Sequence, residues 1–335
     1  MRTISILGAG SWGTALAVHL ARVGHDVRLW ARDEALVRDM HVRRANAVYL
    51  PDVTLPDLLS VTGAIEDAVR DTELVVSAIP SHGCRAVMRA AEPRLSPRVT
   101  IVSATKGLEA ETLLRMSEVI RQEVGPLRPV VVLSGPSFAV EVAQQLPTAV
   151  LAASDDSIAT EFVQAEFRGP YFRLYGSADL VGVEIGGALK NIIAIAAGVV
   201  EGLGLGHNAL AALITRGLAE VTRLACAAGG RRETLSGLSG LGDLVLTCTG
   251  GLSRNRHVGI ELARGRRLPD VLAGMKMVAE GVRTTTAALA LGRRYGVELP
   301  IATQMAEVLA GRSDVRTAVD ALMLRRQRAE AESVN

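Results

Sequence analysis

The stretch ISILGAGSWGTALA, residues 4–17, decides the fold. A short β-branched run ends at Leu7, three glycines follow as GxGxxG (Gly8, Gly10, Gly13), and a helical pattern starts at once. Each glycine has a physical role at this spacing. Gly8 allows the tight turn, Gly10 lets the backbone approach a pyrophosphate, and Gly13 permits close helix–strand packing. The helix N-terminus adds unpaired N–H groups and a partial positive charge. In a chain with 33 glycines the bare pattern is a weak signal. Its place between a strand and a helix makes it a dinucleotide fingerprint.

Outward from this motif, the first half alternates short β-branched runs with amphipathic stretches. Strands are predicted over 3–7, 26–30, 73–79, 99–104, 129–134 and 148–153, and helices over 12–22, 82–92, 111–123 and 156–166. Strands alternating with helices imply parallel pairing through crossovers, hence an α/β Rossmann-type doubly wound sheet. From about residue 178 the strand signal stops. Glycine-punctuated helices are predicted over 179–201, 207–228, 254–264, 284–295 and 301–311. The expected organisation is a dinucleotide-binding domain over 1–180, an all-α substrate and dimerisation domain over 181–325, and a polar tail over 326–335.

Composition narrows the function classes. Lys plus Arg number 37 against 35 Asp plus Glu, a net charge of +2, so nucleic acid is not an expected partner. The three cysteines, Cys84, Cys226 and Cys248, are far apart and show neither CxxC nor CxxH spacing. No metal site is expected, and a reducing cytoplasm fits. No signal peptide and no integral membrane segment are expected either.

Four further segments carry chemistry. In VRLWARDEA (27–35) the second strand ends beside Arg32 and Asp33, an arginine suited to the extra phosphate of NADP and an acid suited to the ribose of NAD. Arg32 lies nearer the strand end, which favours NADP(H), with NAD(H) the alternative. SATKGL (103–108) sets Lys106 at the carboxyl edge of the sheet, where open α/β folds hold ligands, and SGPSFAVEV (134–142) repeats a strand-to-helix turn at Gly135 and Ser137. GLSGLGDLVLTCTGGLSRNRHVG (237–259) holds Asp243 in a glycine-bracketed apolar turn, where a carboxylate needs a partner. There Ser253 reads as an N-cap with Arg254 and Asn255 in the first turn, a recipe for a phosphate site. Finally, GGALKNIIAIAAGVVEG (186–202) puts Lys190 and Asn191 into an otherwise apolar helix. A lysine snorkelling from a helix face is one reading. A lysine buried in a cleft, with its pKa lowered by burial and by a nearby Lys106, is the other. Such a lysine can exchange a proton with a carbonyl or alcohol oxygen.

Taken together, GAGSWGTALA, ATKGL, GPSFAVEV, GALKNIIAIAAGVVEGLGLGHNALAALITRGLAE, GLGDLVLTCTG, SRNR and VAEGVRT resemble, in family order, the bacterial type of NAD(P)-dependent glycerol-3-phosphate dehydrogenase. The resemblance covers nearly the whole chain except the tail. It implies that Lys190 is the catalytic proton donor and acceptor and also touches substrate. It implies substrate contacts from Lys106, Gly135, Ser137, Asp243, Ser253, Arg254 and Asn255, with Thr247 a further candidate. For the cofactor it adds Ser11, Trp12, Arg32, Lys106, Ala139, Arg254, Val278 and Glu280 to the glycines. It further implies a cytoplasmic homodimer acting on a small phosphorylated substrate for glycerophospholipid synthesis. Two other readings share the architecture: a β-hydroxyacid dehydrogenase, and a dinucleotide-sensing protein without catalysis.

Overall fold

The structure is a computed structural model that describes residues 1–275, 277–327 and 329. Most of the tail expected over 326–335 lies outside the described residues.

Among the described residues there are ten strands: β1 (Thr3–Leu7), β2 (Asp26–Trp30), β3 (Ala45–Asn46), β4 (Leu50–Thr54), β5 (Leu59–Thr62), β6 (Leu74–Ser77), β7 (Thr100–Ser103), β8 (Val130–Ser134), β9 (Thr148–Ala153) and β10 (Phe172–Ser177). Eight of them form one sheet in the order β10-β9-β8-β7-β6-β1-β2-β5, and β3 and β4 make a small separate hairpin. From β5 to β8 the order is that of a dinucleotide-binding sheet, with the strand order reversing at β1. Both faces are covered. Ile4, Ile6, Leu74, Val76 and Val102 enter one core with the helix Ser11–Arg22, whereas Leu7, Val75 and Ile101 enter the opposite one with the helices Ser81–Ala91 and Met116–Val124. Burial on both sides is why these strands read as continuous apolar runs rather than as alternating ones.

Four differences from the expected pattern have physical causes. β9 runs antiparallel to β8, because the chain between them returns over a short helix, Ala139–Ala143, and re-enters from the edge it left. That connection keeps Gly135 and Ser137 at the ligand edge. β5 was not expected, because its short run LSVT carries little apolar signal at the sheet margin. β10 was missed as well, because its burial alternates and leaves Arg173 and Tyr175 outside. The helix expected over 111–123 begins only at Met116: Leu113 has φ 63°, and Leu108 pairs with Arg115 in a tight hairpin instead.

The helical half is built around the helix Leu180–Gly202, which is long and apolar enough to cross a membrane by length and composition. Yet 94% of its apolar window is buried inside the protein. It is the core helix against which the others pack. The helix Arg254–Ala263 crosses it at backbone contact. A Cβ on Gly198 would stand 1.9 Å from the Arg256 carbonyl oxygen, and one on Gly259 1.9 Å from that of Ile195. This glycine pair brings the SRNR segment onto the helix that carries Lys190.

Candidate active site

Every chemistry-bearing loop of the first domain leaves the carboxyl end of a strand: Gly8 after β1, Arg32 after β2, Ser81 after β6, Lys106 after β7 and Gly135 after β8. Parallel pairing therefore gathers them on one edge of the sheet. Gly8 turns at φ +113°, and a Cβ on Gly13 would lie 1.9 Å from the Gly8 carbonyl oxygen. Among the described residues nothing lies within 4 Å of where a Cβ on Gly10 would stand. No side chain caps the helix that starts at Ser11, and no carboxylate stands in its first turn. The buried Trp12 Nε1–H has no acceptor among the described residues. Unpaired donors around an open glycine backbone fit the pyrophosphate of a dinucleotide. Two features that sequence patterns did not single out brace this loop. Asn46 Nδ2 donates to the Ala9 carbonyl (2.9 Å) and to Thr14 Oγ1 (2.8 Å), and Ser11 Oγ donates to the Tyr49 carbonyl (2.5 Å).

Beyond β2 the two charges separate. Asp33 is the N-cap of the helix Glu34–Arg43, its Oδ1 accepting from the amides of Ala35 (2.8 Å) and Leu36 (3.3 Å). Arg32 is exposed. One oxygen of the acid is taken up by its own helix, and Arg32 has no partner among the described residues.

At the junction of the two domains, two lysines share one carboxylate. Asp243, 1% exposed, opens the helix Asp243–Thr249 just after the glycine-rich turn. Its Oδ2 accepts from Lys106 Nζ (2.7 Å) and its Oδ1 from Lys190 Nζ. Lys190 Nζ also donates to Thr247 Oγ1 (2.8 Å), which itself donates to the Asp243 carbonyl (2.6 Å), and Lys106 Nζ donates to the Gly135 carbonyl (3.0 Å). Burial holds the Lys190 ammonium down to about 7. The Asp243 carboxylate works against this and Lys106 with it. This is the buried-cleft lysine, and the snorkelling alternative is excluded: Lys190 is 7% exposed. Ser137 Oγ donates to the Gly135 carbonyl (3.0 Å), and Ala139 opens the next short helix beside it.

Ser253 caps the helix Arg254–Ala263, accepting from the Arg256 amide (3.3 Å), as its place in the sequence led us to expect. The amides of Arg254 and Asn255 find no acceptor among the described residues. The Arg254 guanidinium is reached by solvent but surrounded by protein. Among the described residues nothing pairs with it, although Glu280 is near enough to favour its charge. An uncommitted guanidinium beside two open amides suits a phosphate. The Asn255 side chain is otherwise engaged. Its Nδ2 donates to Asn191 Oδ1 (2.9 Å) and its Oδ1 accepts from the Gly281 amide (3.0 Å). Asn191, whose role the sequence leaves open, therefore ties the lysine helix to the SRNR helix.

The segment from Met277 to Glu280 brings the second domain over the first. Ser11 Oγ touches Met277 Sδ (2.9 Å), Val278 is half-buried, and the Glu280 carboxylate accepts from the Ser81 amide (3.0 Å) and hydroxyl (2.7 Å). Ser81 escaped the sequence reading, since its partner lies 199 residues away.

Comparison with known proteins is consistent along the chain. The family model described as NAD-dependent glycerol-3-phosphate dehydrogenase N-terminus matches residues 3–160, and its C-terminal counterpart matches 179–320. A relative from Koribacter versatilis, named glycerol-3-phosphate dehydrogenase (NAD(P)+), is 54% identical over 275 residues, 81% of this chain and 82% of its own. One of the same name from Geobacter sulfurreducens is 52% identical over 271 residues, 80% and 81% of the two chains. Among solved structures, a glycerol-3-phosphate dehydrogenase from Coxiella burnetii superposes with a TM-score of 0.93 at 41% identity, covering 97% of this chain and 99% of that one.

Proposed function

Since this chain belongs to the NAD-dependent glycerol-3-phosphate dehydrogenase family, we propose that it interconverts dihydroxyacetone phosphate and sn-glycerol 3-phosphate with NAD(P)(H), and that residues 1–180 hold the dinucleotide while residues 181–325 hold the substrate. The observation that carries this reading is the Lys106–Asp243–Lys190 cluster, set beside an uncommitted arginine at a helix N-terminus.

Bound between the glycine loop, Ser11, Trp12, Arg32, Ala139, Val278 and Glu280, the dinucleotide supplies the hydride. Arg254 and the amides of Arg254 and Asn255 grip the substrate phosphate and fix where the ketone sits. Lys190, protonated, hydrogen-bonds the ketone oxygen and delivers its proton there as the carbon is reduced. In the reverse direction neutral Lys190 takes that proton from the alcohol. A pKa near 7 makes both directions accessible at neutral pH. Asp243 holds Lys190 in place through its Oδ1, and Lys106 keeps the carboxylate charge balanced. Ser137, Gly135 and Ser253 complete the proposed substrate site. Arg32 has no partner among the described residues and one oxygen of Asp33 serves as a cap, which favours NADP(H) over NAD(H). The enzyme then serves glycerophospholipid synthesis in the cytoplasm as a homodimer. Three unpaired cysteines support the compartment, and the exposed Leu241, Val245 and Leu252 offer apolar surface to a second copy.

Cofactor oxidation on adding dihydroxyacetone phosphate, with NADPH and NADH run in parallel, tests the reaction. Turnover of 3-hydroxy acids instead would transfer the protein to the β-hydroxyacid class. Cofactor binding without turnover of either would make it a sensor.

A further inference from the structure

We propose that Glu184 is a positioning residue for this reaction: its carboxylate pins the catalytic helix to the Lys106 segment of the dinucleotide domain, so that Lys106 and Lys190 meet on Asp243. The inference rests on the reaction proposed above. Glu184 lies six residues before Lys190 on the same helix, about 9 Å along its axis. Its side chain is 3% exposed and fully engaged across the domain junction. Oε1 accepts from the Ser117 amide (2.8 Å), and Oε2 accepts from Ser117 Oγ (2.6 Å) and from Arg115 Nη1 (2.8 Å).

What these partners belong to gives the contact its consequence. Arg115 pairs with Leu108 across the tight hairpin, and the Glu109 amide donates to the Leu114 carbonyl (2.9 Å), so the hairpin is closed. Lys106 stands two residues before Leu108. The chain therefore runs in a closed circuit: Lys106 to the hairpin, Arg115 and Ser117 to Glu184, along the helix to Lys190, and through Asp243 back to Lys106. One arm of the circuit is the reacting cluster, and Glu184 is the carboxylate that joins the helix to the other arm, where Arg115 also pairs with Glu118 (2.9 Å). With that arm loosened, the two lysines no longer share Asp243 at fixed spacing, water enters, and Lys106 withdraws. Water entry relieves the burial that chiefly holds the ammonium down, and the withdrawal of Lys106 relieves a smaller repulsion, so both let Lys190 hold its proton to higher pH; the looser Asp243 contact opposes them and is outweighed by the relief of burial.

The test uses Glu184→Gln, which keeps the side-chain shape, and Arg115→Ala, which breaks the clamp from the other domain, with Arg115→Lys as the conservative rescue. Three quantities are read in each: kcat for dihydroxyacetone phosphate reduction, the Kd for NADPH, and the protonation midpoint of Lys190. The last comes from the pH dependence of its carbamylation by cyanate, followed by mass spectrometry. Glu184→Gln and Arg115→Ala are expected to lower kcat about tenfold or more, change the NADPH Kd less than about threefold, and raise the Lys190 midpoint from about 7. Arg115→Lys is expected to restore part of both. Wild-type kcat and midpoint with only a lowered Tm would make Glu184 a plain helix cap and overturn the proposal, as would a loss of NADPH affinity in step with kcat. If the wild-type protein does not reduce dihydroxyacetone phosphate, the assigned reaction falls. The cyanate measurement then still decides the clamp.

Discussion

Replacing Lys190 by methionine removes one charge from the protein interior and should have two linked effects. The side chain is buried, and its ammonium falls from an ordinary 10.5 to about 7. That difference corresponds to roughly 5 kcal/mol against the charged form. Between these two values the unfolded chain keeps a proton that the native protein has released, so the lysine makes native stability rise with pH there, by about 1.4 kcal/mol per pH unit. Below about 7 both states are protonated and the contribution is flat, with the whole penalty in force. From pH 7.5 to 9.5 the wild type should therefore gain roughly 2.5 kcal/mol more than Lys190→Met. Groups common to both, such as the buried Glu220 and Cys84, cancel in that difference. Methionine fills nearly the same volume, and Asp243 keeps Lys106, so the variant is expected to fold. Turnover should drop about 10²–10⁴-fold, the usual worth of a positioned acid–base group. NADPH affinity should stay nearly unchanged. Urea unfolding at the two pH values and the cofactor-oxidation assay measure both effects. Parallel stability curves, or turnover within tenfold of wild type, would refute the reasoning.

Arg254→Ala should weaken apparent affinity for dihydroxyacetone phosphate about 10- to 100-fold, a charge-assisted contact of roughly 1.5–3 kcal/mol, and leave the slow turnover of unphosphorylated dihydroxyacetone as it was. Equal losses on both ketones would place the phosphate elsewhere. Arg32→Ala should raise KM for NADPH and spare NADH, whereas Asp33→Ala should lower stability by about 1 kcal/mol through its lost cap and leave the cofactor ratio alone. A gain in NADPH preference on removing Asp33 would show that the acid reaches the ribose after all. Gly198→Ala puts a methyl group 1.9 Å from the Arg256 carbonyl oxygen. It should destabilise the protein by several kcal/mol in thermal or urea unfolding, as overpacked backbone crossings do; a variant with wild-type Tm would mean that the two helices part without penalty.

The local signals in the sequence rest on local physics. GxGxxG between a strand and a helix, the Ser253 cap with Arg254 behind it, and a lysine stranded among Ile192, Ile193 and Ile195 all express backbone geometry or solvation within a few residues. The antiparallel β9 was not legible, because strand direction depends on where the connection lies, not on the strand's own residues. Ser81, Asn46 and Tyr49 escaped for a related reason. Each is an ordinary polar side chain whose meaning comes from a partner far along the chain.

By itself, then, the sequence determined the dinucleotide turn, the class of fold and the residues carrying charge into an apolar helix, because sterics and burial act on neighbouring residues. Only the tertiary structure decided how those charges are partnered. Asp243 could have answered to any cation, and Asp33 could have faced a ribose. Folding gave the first to two lysines from different domains and spent the second on its own helix. Partner choice depends on which elements the packing of a sheet and a crossed pair of helices brings within about 3 Å, and no spacing along the chain encodes that distance.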